Sequence, residues 1–433
     1  MIKYGEFMST SNQEEFHGFV DDVRDLGGIM FIKLNTFNGY LQVTIRKKDA
    51  DPKIVDVASS ITRQSCISIH GELRDDPTTK GRKEVVPASI EVLSKADVPL
   101  PLDPSGKTGA ELDTRLEWRP LDLRTPRSKA IFKIQSAIME GMSEYFFGKG
   151  FMKVFTPSLM GTASESGSEV FQVAYYNRKA FLRQDPQLHR ELAIVGGLEK
   201  IFEIGPSWRA ELSHTTQHLA EHRTCAAELS YIKDEFDVMK AEEEMVANIF
   251  NRVKNGCAAE LEELGIALDV PKLPFPILTF PDIYDIIESF GKKAQRGGDY
   301  DKESEELLGK YVREKYKSDF FFVDRFPFAV KPFYVMKVDD EPQWARSVDL
   351  IYRGVEMSSG GQREHRYEAL QRQIKEKDMN KDGLEWFTRF FKYGAPTMGG
   401  FSIGIERLTM QMLGIKNVRE AVLFPRDTER LLP

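Results

Sequence analysis

The sequence has no run of about 18 apolar residues, and this excludes a spanning helix. Cysteine is scarce. Cys66, Cys225 and Cys257 lie far apart, are odd in number and form no CxxC pair. That argues against a disulfide framework and a cysteine zinc site, and it fits a reducing, cytoplasmic setting. The start, MIKYGEFMSTSNQEEF, shows no cationic segment followed by an apolar one, so no secretory signal is expected. Basic charge is not in excess either: 60 Lys and Arg stand against 67 Asp and Glu, a net −7. A general nucleic-acid coater would be basic, so any such contact must rest on local patches.

What the chain does have is core. It is 41% hydrophobic and 11% aromatic over 433 residues, enough for two or three domains. Residues 1 to about 100 read as β-rich. Gly28–Leu34, Gly39–Ile45, Ser65–Leu73 and Ala88–Leu93 gather β-branched and aromatic residues between turn residues. Asn38-Gly39 predicts a hairpin between the first two. About five short strands in that length suit a small closed barrel of the oligonucleotide-binding (OB) type, bounded at 1–104. The proline-rich run from Val98 to Pro104 ends it, and 105–128 reads as a linker or hinge. Ser128 to Gly148 carries Ile131, Ile134, Ile138, Met142 and Tyr145 at helical spacing, with Ser128 as a candidate N-cap. Helices and strands then alternate to the C-terminus. The charged segment from about 255 to 330 reads as an insertion in this 129–433 domain.

Three stretches occur in order. They are Gly150-Phe-Met-Lys-Val-Phe-Thr-Pro157, Phe202-Glu-Ile-Gly-Pro-Ser-Trp-Arg-Ala-Glu211 continuing to Glu228, and Gly399-Gly-Phe-Ser-Ile-Gly-Ile-Glu-Arg-Leu408. Between them lie Gln184-Asp-Pro-Gln187 and Arg353-Gly-Val-Glu-Met-Ser-Ser-Gly-Gly-Gln-Arg363, and Phe424-Pro-Arg-Asp427 closes the chain's pattern. Together they resemble the class II aminoacyl-tRNA synthetases, aspartyl/asparaginyl subgroup, most like the short archaeal-type aspartyl enzymes. The resemblance implies an α/β (α+β) chain: an N-terminal OB barrel, then a catalytic domain built on an antiparallel sheet flanked by helices. It also implies ATP and Mg²⁺ as cofactors, tRNA and an amino acid as partners, and a homodimer built on the first stretch.

In such enzymes the amino acid carboxylate attacks the α-phosphate of ATP, and the adenylate passes its acyl group to a ribose hydroxyl. No side-chain nucleophile is required, so positioning and charge stabilisation carry the catalysis. By resemblance, Arg209 meets the α-phosphate and Arg407 lies over adenine and reaches the triphosphate, as forked, always-charged donors suit. Glu211, His218, Leu219 and Glu356 complete the ATP set, and the glycines around Arg407 admit the nucleotide. Glu356 and Ser359 match the Mg²⁺ ligands, although their spacing of three equally suits a capped helix start. Glu165, Gln184, Gln187, Arg190, Ser359 and Arg363 match the amino acid pocket, with Arg363 expected to grip a side-chain carboxylate. On the barrel, Phe31 and Gln42 match base-reading positions, although Phe31 equally suits core packing.

Several residues depart from the subgroup. Gln-Ser-Pro-Gln is here Gln184-Asp185-Pro186-Gln187, and an expected lysine is Arg190. Gln217, His222, Ala226 and Met398 also differ. Asp185 before Pro186 makes a good N-cap and N1 pair, which is the expectation; the alternative places its charge inside the pocket. His214, His218 and His222 recur every four residues, a zinc spacing on a helix, but the residues between read as a polar loop and no zinc is expected. The leading expectation is an aspartate–tRNA ligase. A paralogue with a non-tRNA acceptor and a catalytically silent tRNA-binding module are the rivals.

Overall fold

A computed structural model describes residues 14–76, 82–161, 169–210, 212 and 215–432. The chain divides into two compact units, Met1–Lys129 and Ala130–Pro433.

The first unit holds a closed barrel, β1 (Glu14–Asp25), β2 (Ile29–Thr36), β3 (Gly39–Arg46), β4 (Cys66–Asp75) and β5 (Lys83–Ser94), in the order β1-β2-β3-β5-β4. Alternation fills it: Met30, Ile32 and Leu34 of β2 and Val43 and Ile45 of β3 meet Ile67, Ile69 and Val85 inside. Gly39 turns the β2–β3 hairpin at a φ of +117°, as Asn38-Gly39 predicts. Two elements escape the sequence reading. β1 is mostly polar because it pairs on both edges, with β2 and β4, while only Val20 among its apolar residues is fully buried. Helix α1 (Pro52–Ser60) is short and plugs the barrel with Ile54 and Ala58, its N-cap Asp51 accepting from the Lys53 amide. The short helices α2 (Leu112–Glu117) and α3 (Arg119–Asp122) follow.

The long helix α4 (Pro126–Gly148) begins two residues before the expected Ser128. Thr125 is its cap, its hydroxyl accepting from the Ser128 amide at 3.1 Å, and Pro126 takes N1. The Ser128 hydroxyl instead donates to Asp122.

In the second unit the strands are β6 (Met152–Lys153), β7 (Leu159–Met160), β8 (Gln172–Tyr175), β9 (Arg178–Leu182), β10 (Lys200–Trp208), β11 (Glu221–Ser230), β12 (Ile277–Thr279), β13 (Phe320–Asp324), β14 (Lys337–Val338), β15 (Glu341–Ala345), β16 (Ser347–Tyr352), β17 (Glu356–Arg363) and β18 (Met398–Gly404). Eight form one sheet, ordered β12-β13-β16-β17-β18-β11-β10-β6, antiparallel except at its two outer pairs. The main helices are α4, α5 (Gln187–Val195), α6 (Glu235–Gly256), α7 (Ala258–Leu264), α8 (Asp282–Ser289), α9 (Lys302–Tyr316), α10 (Tyr367–Glu376), α11 (Glu385–Thr388) and α12 (Ile405–Leu413). α4 and α6 bury their apolar stripes, Ile131 to Phe146 and Val238 to Val253, against β10, β11, β17 and β18. The segment 255–330 joins the main sheet at one edge. It supplies β12 and β13 to the main sheet, because Phe321 and Val323 seat α8 and α9 there. Among the described residues, no helix is long and apolar enough to cross a membrane.

Candidate active site

Strands β10, β11, β17 and β18 bring side chains to one cavity of about 230 Å³. Ser207 lies opposite His222, Thr224 opposite Gly404, and Ser402 opposite Ser359 across successive strands. Arg209 leaves the end of β10, and Arg407 enters from the first turn of α12 after Gly404. Both border the cavity, as do Gln217, His218 and Leu219. These last three sit on a loop pinned by the chain's end: Val418 donates to the Thr216 carbonyl, Arg419 to that of Thr215, and the Ala220 amide to Arg426. His218 pairs with the Thr215 hydroxyl at 2.5 Å. The loop is not a helix, so His218 and His222 share no helical face. Among the described residues no three His, Cys, Asp or Glu converge as a metal cage. Glu165, Glu211 and His214 lie outside the described residues.

Glu356 and Ser359 share the cavity wall, and a β-bulge makes this possible. In a regular strand, residues three apart face opposite sides. Here Leu350 pairs with Ser358 and Ile351 with Glu356, leaving Met357 as the extra residue. Met357 enters the core and the Ser358 hydroxyl donates to Glu242 of α6, so both point to the helices. Glu356 and Ser359 are left on the opposite side, in strand rather than a capped helix start. Withdrawal from water, and then Asp349, push the Glu356 carboxyl above its ordinary range, against Arg407 and Lys331. Arg407 donates to the Glu356 carbonyl at 2.9 Å, and Lys331 holds Asp349 at 3.0 Å. An adjoining hollow of about 210 Å³ adds Glu305, pushed up to about 8 by burial and then by Glu356, and Asp299, raised by burial. Oxygen donors crowded until they resist ionisation fit a hard divalent cation, which needs only one or two protein ligands.

His222 faces the same cavity. Burial, then the cations Arg209 and Arg407, lower its pKa to about 4, so the ring is neutral at physiological pH.

The other end of the cavity is a buried polar chain. Arg363 donates to both Glu228 oxygens, at 2.9 and 3.3 Å, and to the Gly400 carbonyl. Gln187 donates to Glu228 and Glu191 and accepts from Arg190. Glu191 is driven up to about 8 by burial and then by Glu228. Burial opposes the Arg190 and Arg363 cations, but Asp185 and Glu228 outweigh it and hold both pKa values above the arginine norm. Gln184 donates to the Glu169 carbonyl at 2.9 Å.

Residues 111–428 match the family model for class II tRNA synthetases (D, K and N), and residues 15–93 match that of OB-fold nucleic acid binding domains. The chain belongs to the class II tRNA synthetases. It is 45% identical over 416 residues to an aspartate–tRNA(Asp) ligase of Pyrococcus horikoshii, covering 96% of this chain and 95% of that one. An aspartate–tRNA(Asp/Asn) ligase of Aeropyrum pernix is 40% identical, at 96% and 94% coverage. Among solved structures, it resembles asparaginyl-tRNA synthetase from Pyrococcus horikoshii complexed with asparaginyl-adenylate (TM-score 0.89, 29% identity, 97% and 96% coverage). It also resembles a putative aspartyl-tRNA synthetase of Leishmania major (TM-score 0.86, 28% identity, 97% and 92% coverage).

Three expectations for this synthetase's site need correction. Asp185 is not a helix cap: Pro186 occupies the N-cap of α5 without a side-chain bond, and Asp185 instead grips Arg190 at 2.6 Å. A buried guanidinium binds that carboxylate more strongly than a neutral amide would. Arg190 is not on the cavity wall. Asp185 and Gln187, which hold it, are. Arg363 does reach the wall, but already spends donors on Glu228. The glycines divide too. Gly404 is open toward Arg407, whereas a Cβ on Gly399 would lie 2.6 Å from Ile232, and one on Gly400 would strike the Ala227 carbonyl and Glu228. Gly399 and Gly400 make room for the synthetase's own backbone and side chains.

On the barrel, β2 alternation turns Phe31 outward while Met30 and Ile32 fill the core, so Phe31 is not a packing residue. Phe31 and Gln42 line a hollow of about 470 Å³ with Arg24, Lys33, Tyr40 and Arg82. Lys33 lies 3.3 Å over the Tyr40 ring and 2.8 Å from Asp21. Sequence reasoning passed over Lys331, Asp349, Glu191 and Tyr40. Their one signal, charged or aromatic residues in otherwise apolar segments, is weak without the register.

Proposed function

We propose that this synthetase activates aspartate with ATP and transfers it to the 3′ end of its tRNA. The observation that carries the reading is one cavity with Arg209 and Arg407 at one end and the Arg363–Glu228 pocket at the other. Relatives named as aspartate–tRNA ligases at 40–45% identity support it. Arg209 stabilises charge on the α-phosphate, and Arg407, with His218, Leu219 and Glu211, holds the rest of the nucleotide. Glu356 and Ser359 hold Mg²⁺, which when bound neutralises the phosphates. Glu165, Gln184, Gln187, Ser359 and Arg363 surround the amino acid, with Arg190 behind Asp185 and Gln187, those within the described residues positioning it so that its carboxylate meets the α-phosphate. Residues 1–104 read the tRNA, with Phe31 stacking on a base and Gln42 beside it; 105–128 form the hinge and 129–433 the catalytic domain. Two copies pair, and the work is done in the cytoplasm. Pyrophosphate exchange with each of the twenty amino acids, followed by tRNA charging, tests this. Exchange and charging with aspartate support it; activation of a different amino acid, or none, overturns it.

A further inference from the structure

An amino acid with a negative side chain needs a cation at the pocket end of the cavity. Two guanidiniums stand there, and each is matched by a carboxylate of the chain itself. The Arg363 match is fixed: Glu228 lies on β11, fully buried, and makes two bonds to it. The Arg190 match is tight in distance but open to solvent on its carboxylate side. Arg190 is 2% exposed at its side chain, but its partner Asp185 is 43% exposed and lies just outside α5 on the cavity wall. Among the described residues the Arg190 Nε is buried without a hydrogen-bond partner, so Asp185 and Gln187 do not exhaust this guanidinium.

We propose that Asp185 is a specificity-determining residue: it stands where a substrate carboxylate would pair with Arg190 and weakens aspartate relative to a neutral, amide-bearing side chain. An entering aspartate must displace Asp185 into solvent or bind beside a like charge. Either costs affinity for the anion and leaves an amide nearly unaffected, because an amide brings no charge. Asp185 is bonded to Arg190, which has no part in the proposed phosphate contacts, so the effect falls on KM rather than kcat. The inference rests on the aspartate activity proposed above.

The test is pyrophosphate exchange by wild type, Asp185→Ser and Asp185→Asn, each with aspartate and with asparagine. Asp185→Asn keeps an acceptor for Arg190 and removes only the charge, so it guards against loss of fold. The expected result is a fall in KM for aspartate on the order of tenfold in both variants, with little change in kcat and no matching gain for asparagine. Aspartate exchange in all three proteins at one KM overturns the inference and leaves the aspartate assignment standing. An equal gain for both amino acids also overturns it, because charge would not be the cause. Exchange with aspartate in none of the three overturns the assignment and the inference together.

Discussion

Arg363 donates to Glu228 and to the Gly400 carbonyl, while Arg209 and Arg407 frame the opposite end of the same cavity. Side chains of one type thus do different work according to what they already hold. Replacing Arg209 with alanine is expected to leave the fold intact and slow adenylate formation by on the order of a hundredfold or more, read as aspartate-dependent pyrophosphate exchange. Near-normal exchange in the folded variant would remove Arg209 from the α-phosphate. Arg209 and Arg407 could be singled out from sequence because they sit inside motifs that resemble a known family, and both border the cavity. Asp185 was not. Aspartate before proline is a cap by local rules, and only the α5 geometry reveals that Arg190, five residues on, takes its carboxylate. Capping propensity lost to an ion pair with the second turn of the same helix.

At the scale of elements, one extra residue at Met357 decides which side of β17 carries chemistry. The spacing of Glu356 and Ser359 was visible in sequence, but a bulge is a register fact between two strands and leaves no local mark. The polar β1, and the place of β12 and β13 in the main sheet, left no mark in sequence for a related reason: both depend on pairing with neighbouring strands, not on their own periodicity. Below the bulge, Glu242 of α6 accepts from Ser358 and is fully buried, which drives its carboxyl from 4.5 up to about 8. A carboxyl raised on folding binds more protons in the native state, so its contribution to stability is full below about 4.5 and is lost as pH rises through about 8. Glu242→Gln removes that loss. Its melting temperature should therefore gain on wild type at pH 8.5 relative to pH 5.5, measured by calorimetry. A difference that does not vary with pH would mean that Glu242 is ionised in the fold.

On the scale of the whole molecule, the proposed nucleotide and amino acid residues belong to one unit and the proposed base-reading residues Phe31 and Gln42 to the other, so the two activities should fail separately. Phe31→Ala, on the outer face of the barrel, is expected to weaken tRNA charging by the equivalent of about 1–3 kcal/mol per lost stack while exchange without tRNA is unchanged. A parallel fall in both would place Phe31 in the fold of the chain. The last expectation concerns the edge of the main sheet. It ends in β6, two residues long and parallel to β10, a short edge on which no further strand pairs among the described residues. Around it Phe147, Met152 and Phe155 are exposed, Phe155 at 80%, far more than a lone surface phenylalanine needs. An isologous two-fold contact buries such an edge and its apolar flank at once. Light scattering at micromolar concentration is expected to give twice the chain mass for wild type, and Phe155→Asp should shift it to a single chain by setting two like charges near the axis. A wild-type monomer, or a variant that remains dimeric, would move the contact to another face.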